Sequence, residues 1–308
     1  METVIALLKT AVSAGTPLLL ATIGEIFAER SGVLNLGVEG MMIMGAVSGF
    51  VVTMFTGSPA IGLLAALVAG GLLALLHAFI SISLRGNQVV SGLALTMIGL
   101  GLSALMGRGV VGVPLKAKVG GLSIPLLSNI PIIGTIFFKQ NPLVYFSYAL
   151  VALSWFILYK TKLGIAIRAV GENPSAADAM GVNVYLIRYA CVVFGGILAG
   201  LAGAYLSIVY IPAWVEGMTA GRGWIAVALV IFALWDPIRA MLGAYLFGGL
   251  EAAQFTLQAI GINPSILGTF PYLATIAVLT LSASETMRKR IGAPSALCKP
   301  YIREERTI

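Results

Sequence analysis

Charged residues are scarce in this chain of 308 residues, in which Asp, Glu, Lys and Arg together make up 10%. An average soluble protein carries roughly 25% of these residues, so this chain cannot cover a water-exposed surface with them. Histidine and cysteine are also rare, with one and two copies. Metal sites and catalytic sites need several such side chains close together, and the sequence shows no such cluster. These shortages argue against a soluble protein, a metalloprotein and an enzyme.

Nucleotide-binding signals are also missing. The sequence has no Gly-x-x-x-x-Gly-Lys-Ser/Thr segment, whose backbone cradles nucleotide phosphates, so we expect the chain to bind no nucleotide cofactor. Its net charge of +7 could suit nucleic acid, but the Lys and Arg residues are scattered between apolar runs. We therefore expect no nucleic-acid partner.

Apolar runs dominate the sequence, because 59% of the residues are hydrophobic. A helix needs about 20 apolar residues to cross a hydrocarbon core about 30 Å thick. The runs predict an all-α polytopic membrane protein with eight to ten transmembrane helices in contact with membrane lipid. The nine expected spans are 8–27, 33–55, 60–84, 89–106, 143–159, 187–210, 224–235, 238–260 and 270–284. The apolar stretch 124–138 is an additional re-entrant or interfacial candidate.

Basic residues are unevenly distributed between the two ends of these spans. With the C-terminal tail inside, thirteen of the 19 Lys and Arg residues fall on the cytoplasmic side. Because cytoplasmic segments are enriched in Lys and Arg, this predicts an external N-terminus, a cytoplasmic loop at about 160–188 and a cytoplasmic tail at about 286–308. Residues 1–308 then form a single membrane domain in the cytoplasmic membrane.

An internal repeat appears when the sequence is shifted by 178 residues. The best-matched residues are Pro59, Gly70, Gly71 and Leu72, which fall on Pro237, Gly248, Gly249 and Leu250. In the predicted topology these two helices run in opposite directions, as in the inverted repeats that build many transporters. Chance matching between two Gly-, Ala- and Leu-rich helices is the alternative.

The predicted cytoplasmic loop contains the segment ENPSAADAMGV at 172–182, in which a Pro start and a Gly stop indicate a short helix. Its residue order resembles the coupling segment of bacterial ATP-binding-cassette (ABC) import permeases, where an Ala-Ala pair precedes a Gly. An ordinary capped surface helix is the alternative. The resemblance implies that the ATPase is contacted by Glu172, Asn173, Pro174, Ala176, Ala177 and Gly181.

A second segment, ERSGVLNLGVEGMM at 29–42, closely resembles the start of the second span in the permeases for ribose, branched-chain amino acids and nucleosides. With GRGWIAVALVIFALWDP at 221–237, the similarity extends over essentially the whole chain and looks greatest to the nucleoside branch. The resemblance implies the membrane-spanning subunit of an ABC importer that translocates a nucleoside. A simple sugar such as ribose is the alternative substrate, and an ion-coupled secondary transporter is the alternative class.

The same resemblance implies three protein partners. They are a second permease subunit, expected to be a paralogue, an ABC ATPase that uses ATP and Mg²⁺, and an extracytoplasmic substrate-binding protein or lipoprotein. Because the chain lacks a phosphate-binding loop, ATP hydrolysis must come from the separate ATPase subunit.

Polar residues inside the expected spans are candidates for the substrate pathway, because a charge deep in a bilayer costs roughly 2.5–3.5 kcal/mol on insertion scales. Asn35 and Glu39 are spaced to share one face of the second span. A polar stripe on the eighth span contains Glu251, Gln254, Phe255 and Gln258. For Asn35 and Glu39 the alternative to substrate contact is the capping of a broken helix, and for the stripe it is a hydrogen-bonded helix interface.

Two other features of the spans favour helix packing over ligand binding. Gly37, Gly40, Gly45 and Gly49 have the small-residue spacing that lets another helix approach closely. The single histidine, His77, has no metal-binding companions and is expected to be a hydrogen-bonded residue at a helix interface.

The predicted topology can be tested by cysteine labelling in spheroplasts, using a variant without the two native cysteines. A cysteine at Ser128 should react with a membrane-impermeant thiol reagent, because the loop that carries it is expected outside. A cysteine at Ser295 should react only after the membrane is permeabilised. The reverse pattern would overturn the orientation.

Overall fold

The structure is a computed structural model that describes residues 2–117, 119–258, 266, 269–282 and 292–303. Its described helices are α1 (Glu2–Arg30), α2 (Val38–Thr56), α3 (Pro59–Ala78), α4 (Gln88–Gly107), α5 (Ile133–Phe137), α6 (Pro142–Lys160), α7 (Lys162–Glu172), α8 (Pro174–Ala179), α9 (Val184–Ala204), α10 (Arg222–Phe232), α11 (Pro237–Gln258) and α12 (Phe270–Ser282). Short π-helical segments extend α3 (Phe79–Ser83) and α9 (Tyr205–Tyr210). A 3-10 turn (Leu127–Asn129) and an antiparallel pair of strands, β1 (Leu122–Ser123) and β2 (Lys139–Gln140), lie between α4 and α6.

Six of the described helices are long and apolar enough to cross a membrane. They are Glu2–Arg30, Val38–Thr56, Pro59–Ser83, Gln88–Gly107, Pro142–Lys160 and Val184–Tyr210. The shorter α10 and the two helices α11 and α12 coincide with the last three expected spans. The prediction of an all-α polytopic membrane protein is therefore confirmed. Residues 259–260 and 283–284 of the expected spans, and the tail residues 286–291 and 304–308, lie outside the described part.

The stretch 124–138 is a largely exposed excursion between β1 and β2. Only Gly134 and Ile136 of α5 are buried in it. The apolar composition that suggested a re-entrant segment is therefore found mostly on the surface, in irregular backbone whose polar groups are partly paired within the loop.

Helix α1 lies at the centre of the described structure, with almost every residue from Ala11 to Glu29 buried. Helix α9 packs directly on it. A Cβ on Gly24 would lie 2.8 Å from the carbonyl oxygen of Gly195, so glycine at both positions allows this approach. Close backbone packing of this kind drives helix association in lipid, where apolar side chains gain little from leaving lipid tails.

The repeat found in the sequence has a counterpart in the packing. Gly70 of α3 lies against Gly200 of α9. Gly248, which is 178 residues later in α11, lies against Gly15 of α1. Each half therefore contains three corresponding helices. The central helix is α1 or α9, and the helix that follows an internal break is α2 or α10. The third helix packs on the central helix of the other half, so that α3 contacts α9 and α11 contacts α1. The packing supports the repeat, and its inverted sense stays a prediction of the topology.

The packing roles expected for His77 and the α2 glycines are confirmed. The buried imidazole lies 3.0 Å from the Ser91 hydroxyl and 3.0 Å from the Leu34 carbonyl oxygen, so it joins α3 to α4 and to the turn before α2. Gly40 contacts the backbone of α4, and Gly45 contacts Gly200 of α9.

Candidate functional site

The predicted coupling segment, 172–182, begins at the last residue of α7 and contains the short helix α8, with Asn173 between the two helices. The Asn173 side-chain oxygen accepts a hydrogen bond from the backbone N–H of Ala176 at 3.0 Å, which caps α8 behind Pro174. Gly181 follows α8 with a φ of +84°, a left-handed conformation that favours glycine. The short helix expected between Pro174 and Gly181 is confirmed.

The side chains of this segment face in two directions. Ala177 is buried and fixes α8 to the protein, whereas Ala176 is exposed and Met180 is 85% exposed. No atom lies within 4 Å of the place that a Cβ on Gly181 would occupy. Ala176, Met180 and Gly181 therefore form an open surface that a partner could contact.

The C-terminal tail packs against the coupling segment, which the sequence did not predict. The Ser295 hydroxyl donates to the Glu172 carboxylate at 2.9 Å, and Arg303 pairs with Asp178 at 3.1 Å. The Ala296 N–H donates to the Gly171 carbonyl at 2.9 Å. Glu172 thus holds the tail, and the tail adds to the surface around α8.

The end of α1 connects the coupling segment to the turn between α10 and α11. Gly171 lies directly against the backbone of Arg30. The Arg30 guanidinium donates to the carbonyls of Leu234 and Trp235 at 3.3 and 3.4 Å, and the Trp235 indole donates to Glu29 at 2.6 Å. Leu234 and Trp235 have φ values of +53° and +56°, so α1 holds two non-glycine residues in a strained turn.

Helix α10 begins inside the protein, and its N-terminus binds Glu39 of α2. The carboxylate accepts hydrogen bonds from the N–H groups of Gly221 at 2.9 Å and Gly223 at 2.6 Å, and from the Thr219 hydroxyl at 2.6 Å. Free N–H groups and the helix dipole stabilise an anion at this position. Because Glu39 is buried, the structure places it between two helices and not in an open pocket.

Asn35 lies before α2, so the expectation that Asn35 and Glu39 share a helix face was wrong. Gly32, with a φ of +90°, lies in the turn that follows α1, and α2 begins only at Val38. The Asn35 side-chain oxygen accepts from the Gly37 N–H at 2.9 Å. Its own N–H donates to Glu25 at 2.8 Å. The structure therefore places the fully buried Asn35 within the turn, where it satisfies backbone groups.

An ion pair joins the start of α10 to α11. Arg222 donates to Glu251, and their side chains are 15% and 13% exposed. Gln254 and Gln258, further along α11, are partly exposed, whereas the side chain of Phe255 lies outside the described part. The sequence did not single out Arg222, because it lies just outside the expected span 224–235 and looked like a loop residue.

A polar pocket of about 420 Å³ adjoins this region. It is lined by Ala6, Lys9, Thr10, Ser13, Asn141, Tyr205, Val209 and Tyr210. The rings of Tyr205 and Tyr210 are nearly parallel, with centroids 6.5 Å apart, and Tyr210 is within electrostatic reach of Arg222 and Glu251. The Asn141 amide donates to the Tyr205 hydroxyl at 3.0 Å. The size suits a small polar ligand.

Sequence patterns did not reveal this pocket, because its residues come from three distant segments. One signal was available in the structure of α9, since both tyrosines lie on its π-helical extension and π-helical turns are frequent at functional sites. The pocket lies near the start of α1, roughly 25 Å of helix away from the end that contacts the coupling segment. No group of three or more His, Cys, Asp or Glu side chains suited to a metal occurs among the described residues.

Comparison with known proteins decides the family. The profile of the permease component of branched-chain amino acid transport systems matches residues 7–279. The chain belongs to this family. No solved structure matches it.

Curated relatives cover nearly the full length of both chains. A putative glucose ABC transporter permease of Haloferax volcanii is 45% identical over 97% of this chain and 98% of its own length. A guanosine ABC transporter permease of Bacillus subtilis and a nucleoside ABC transporter permease of Lactococcus lactis are each 37% identical over 94% of both chains. The chain is accordingly an ABC-transporter permease subunit, a multi-pass transport component of the cell membrane and not an enzyme.

The ion pair generates a testable prediction. Glu251→Gln should leave Arg222 partly buried without its counter-ion and should lower the free energy of unfolding by about 2 kcal/mol. The double variant Arg222→Gln, Glu251→Gln should regain most of that stability, because no unpaired charge remains. Thermal denaturation of the detergent-purified protein measures the stability of the single and the double variant. Uptake per assembled complex is measured beside it. A double variant as unstable as Glu251→Gln would show that the pair contributes no such coupling.

Proposed function

We propose that this permease translocates a nucleoside across the cytoplasmic membrane and that the polar pocket with the Arg222–Glu251 pair lies on its path. The observation that carries this proposal is the combination of the partly exposed Tyr210 ring with hydroxyl, amide and ammonium groups in one pocket near the start of α1. Aromatic faces can stack on a nucleobase, and the polar groups can bind ribose hydroxyls. The guanosine and nucleoside permeases at 37% identity support this substrate class.

A sugar is the second candidate substrate, favoured by the glucose permease relative at 45% identity. Sugar hydroxyls could donate to the Thr10 and Ser13 hydroxyl oxygens and accept from the Lys9 ammonium group. The two candidates differ in the planar base, which only a nucleoside presents to the face of Tyr210. The role of this ring therefore separates them.

Three of the pathway residues expected from the sequence keep this role in the proposal. Glu251 pairs with Arg222 beside the pocket, and Gln254 and Gln258 extend outward from it on the same helix. We propose a supporting role for Glu39 and Asn35, since all contacts of their side-chain oxygens are with protein groups.

Substitution of Tyr210 tests the substrate class. Tyr210→Leu should lower guanosine uptake about tenfold, because stacking of a base on an aromatic ring is worth about 1–3 kcal/mol. Tyr210→Phe is the matched control and should retain most uptake. Uptake of labelled guanosine and glucose by the reconstituted transporter with its binding protein is the measurement. Wild-type guanosine uptake by Tyr210→Leu would remove Tyr210 from the path, and glucose uptake without guanosine uptake in the wild type would reject the nucleoside assignment.

Energy for transport is supplied, in this proposal, by a separate ABC ATPase that uses ATP and Mg²⁺ and contacts α8. A second permease subunit and an extracytoplasmic substrate-binding protein or lipoprotein complete the importer. The support is the open surface of Ala176, Met180 and Gly181, which lies within the predicted cytoplasmic loop at about 160–188.

The contacts of the α1 end suggest how ATPase movement reaches the path. A shift of the coupling segment would act on Arg30 through Gly171, and then on Leu234 and Trp235 at the end of α10. The opposite end of the same helix carries Arg222. Because α10 is a single short helix of 11 residues, a tilt at one end displaces the other.

Gly181→Asp tests the coupling surface. A charged side chain at this open position should block ATPase docking, so transport should be lost while the protein remains inserted in the membrane. Gly112→Asp is a matched control, because Gly112 also has a positive φ of +73° and open space around it but lies in the loop after α4. Membrane insertion, ATPase binding and uptake are measured for both variants. Normal ATPase binding and uptake by Gly181→Asp would refute the assignment.

A further inference from the structure

An apolar groove of about 300 Å³ runs between α6 and α9 and is unrelated to the polar pocket. Its walls include Phe27, Leu150, Leu153, Ile157, Leu163 and Phe194. Leu153 is 54% exposed and Leu163 is 52% exposed, so the groove opens to the outer surface of the helices. Along α6 it extends over the eight residues from Leu150 to Ile157, which is about 10 Å.

Cationic side chains gather at one end of this groove. Lys160 and Lys162 flank the junction of α6 and α7, directly beside the groove residue Leu163. Lys160 lies 5.6 Å from the centroid of Trp155, and Arg168 lies 5.5 Å from the centroid of Tyr159. In the described part of the chain, neither lysine nor Arg168 is paired with a carboxylate.

We propose that this groove binds an anionic phospholipid of the surrounding membrane, with an acyl chain along α6 and the phosphate beside Lys160 and Lys162. The groove offers an apolar slot at the depth of acyl chains, and the lysines follow where α6 leaves the apolar region, which is where headgroups lie. Cations without a protein counter-ion favour a lipid with net negative charge over a zwitterionic one. The occupant reaches the groove laterally from the bilayer, a route closed to soluble partners.

The site involves the coupling machinery, because α7 forms the end of the groove through Leu163 and Ile167. The same helix continues to Gly171, which contacts Arg30, and then to α8. A bound lipid would hold α7 against α6 and α9. This role is independent of which solute is transported.

Fluorescence quenching of a tryptophan introduced by Leu153→Trp, at a residue that lines the groove, tests the lipid site in the assembled transporter. The complex is reconstituted into bilayers that contain phosphatidylglycerol or phosphatidylcholine with brominated acyl chains, and the signal of the introduced tryptophan is obtained as the difference from the complex without Leu153→Trp. Brominated phosphatidylglycerol should associate about tenfold more strongly than brominated phosphatidylcholine, because each lysine near the surface adds to the attraction of an anionic headgroup.

Two variants and a charge-matched control complete the test. The double variant Lys160→Gln, Lys162→Gln should abolish the preference for phosphatidylglycerol, whereas Arg85→Gln, Arg239→Gln removes two charges from the same predicted membrane side and should leave it intact. Ala190→Phe, which fills the groove, should lower quenching by both lipids. Equal quenching of the Leu153→Trp reporter by the two lipids, or an unchanged preference when the two lysine substitutions are added to it, would overturn the proposal.

Discussion

The N-terminus of α10 imposes the constraint on which the proposed path depends. A helix that begins inside a membrane protein exposes N–H groups that water cannot satisfy, and each unsatisfied group costs several kcal/mol in hydrocarbon. The Glu39 carboxylate accepts from two of them, at 2.9 and 2.6 Å, and the cost of burying its charge falls at the same time. This mutual dependence fixes α10 to α2. It also fixes the position of Arg222, the first residue of α10, next to Glu251.

The two ends of α10 are held by different parts of the protein. Glu39 holds the start, whereas Glu29 and Arg30 of α1 hold the turn after its end through Trp235. The strained φ values in this turn persist only because these contacts over-determine it. Release of one contact would free the strain, so the turn is suited to switch between two arrangements when the coupling segment moves. The close packing of α1 on α9 holds α1 in place relative to the moving turn.

Features that depend on local sequence or on membrane thickness could be predicted, whereas features that join distant segments could not. The hydrocarbon thickness sets the length of the spans, and Pro174 and Gly181 delimit α8 by their backbone preferences. Asn35 was misplaced because the second span was expected to be helical from residue 33, whereas α2 begins only at Val38. Tyr210 was missed because its importance depends on residues almost 200 positions away in the sequence.

The pocket also bears on why one family serves both sugars and nucleosides. The polar groups of the pocket can meet the hydroxyls of either solute, whereas the face of Tyr210 favours a planar base. A path that binds its solute tightly would release it slowly, so weak and permissive contacts suit transport. The substrate-binding protein, which must capture solute from dilute solution, is the component for which strong discrimination is useful.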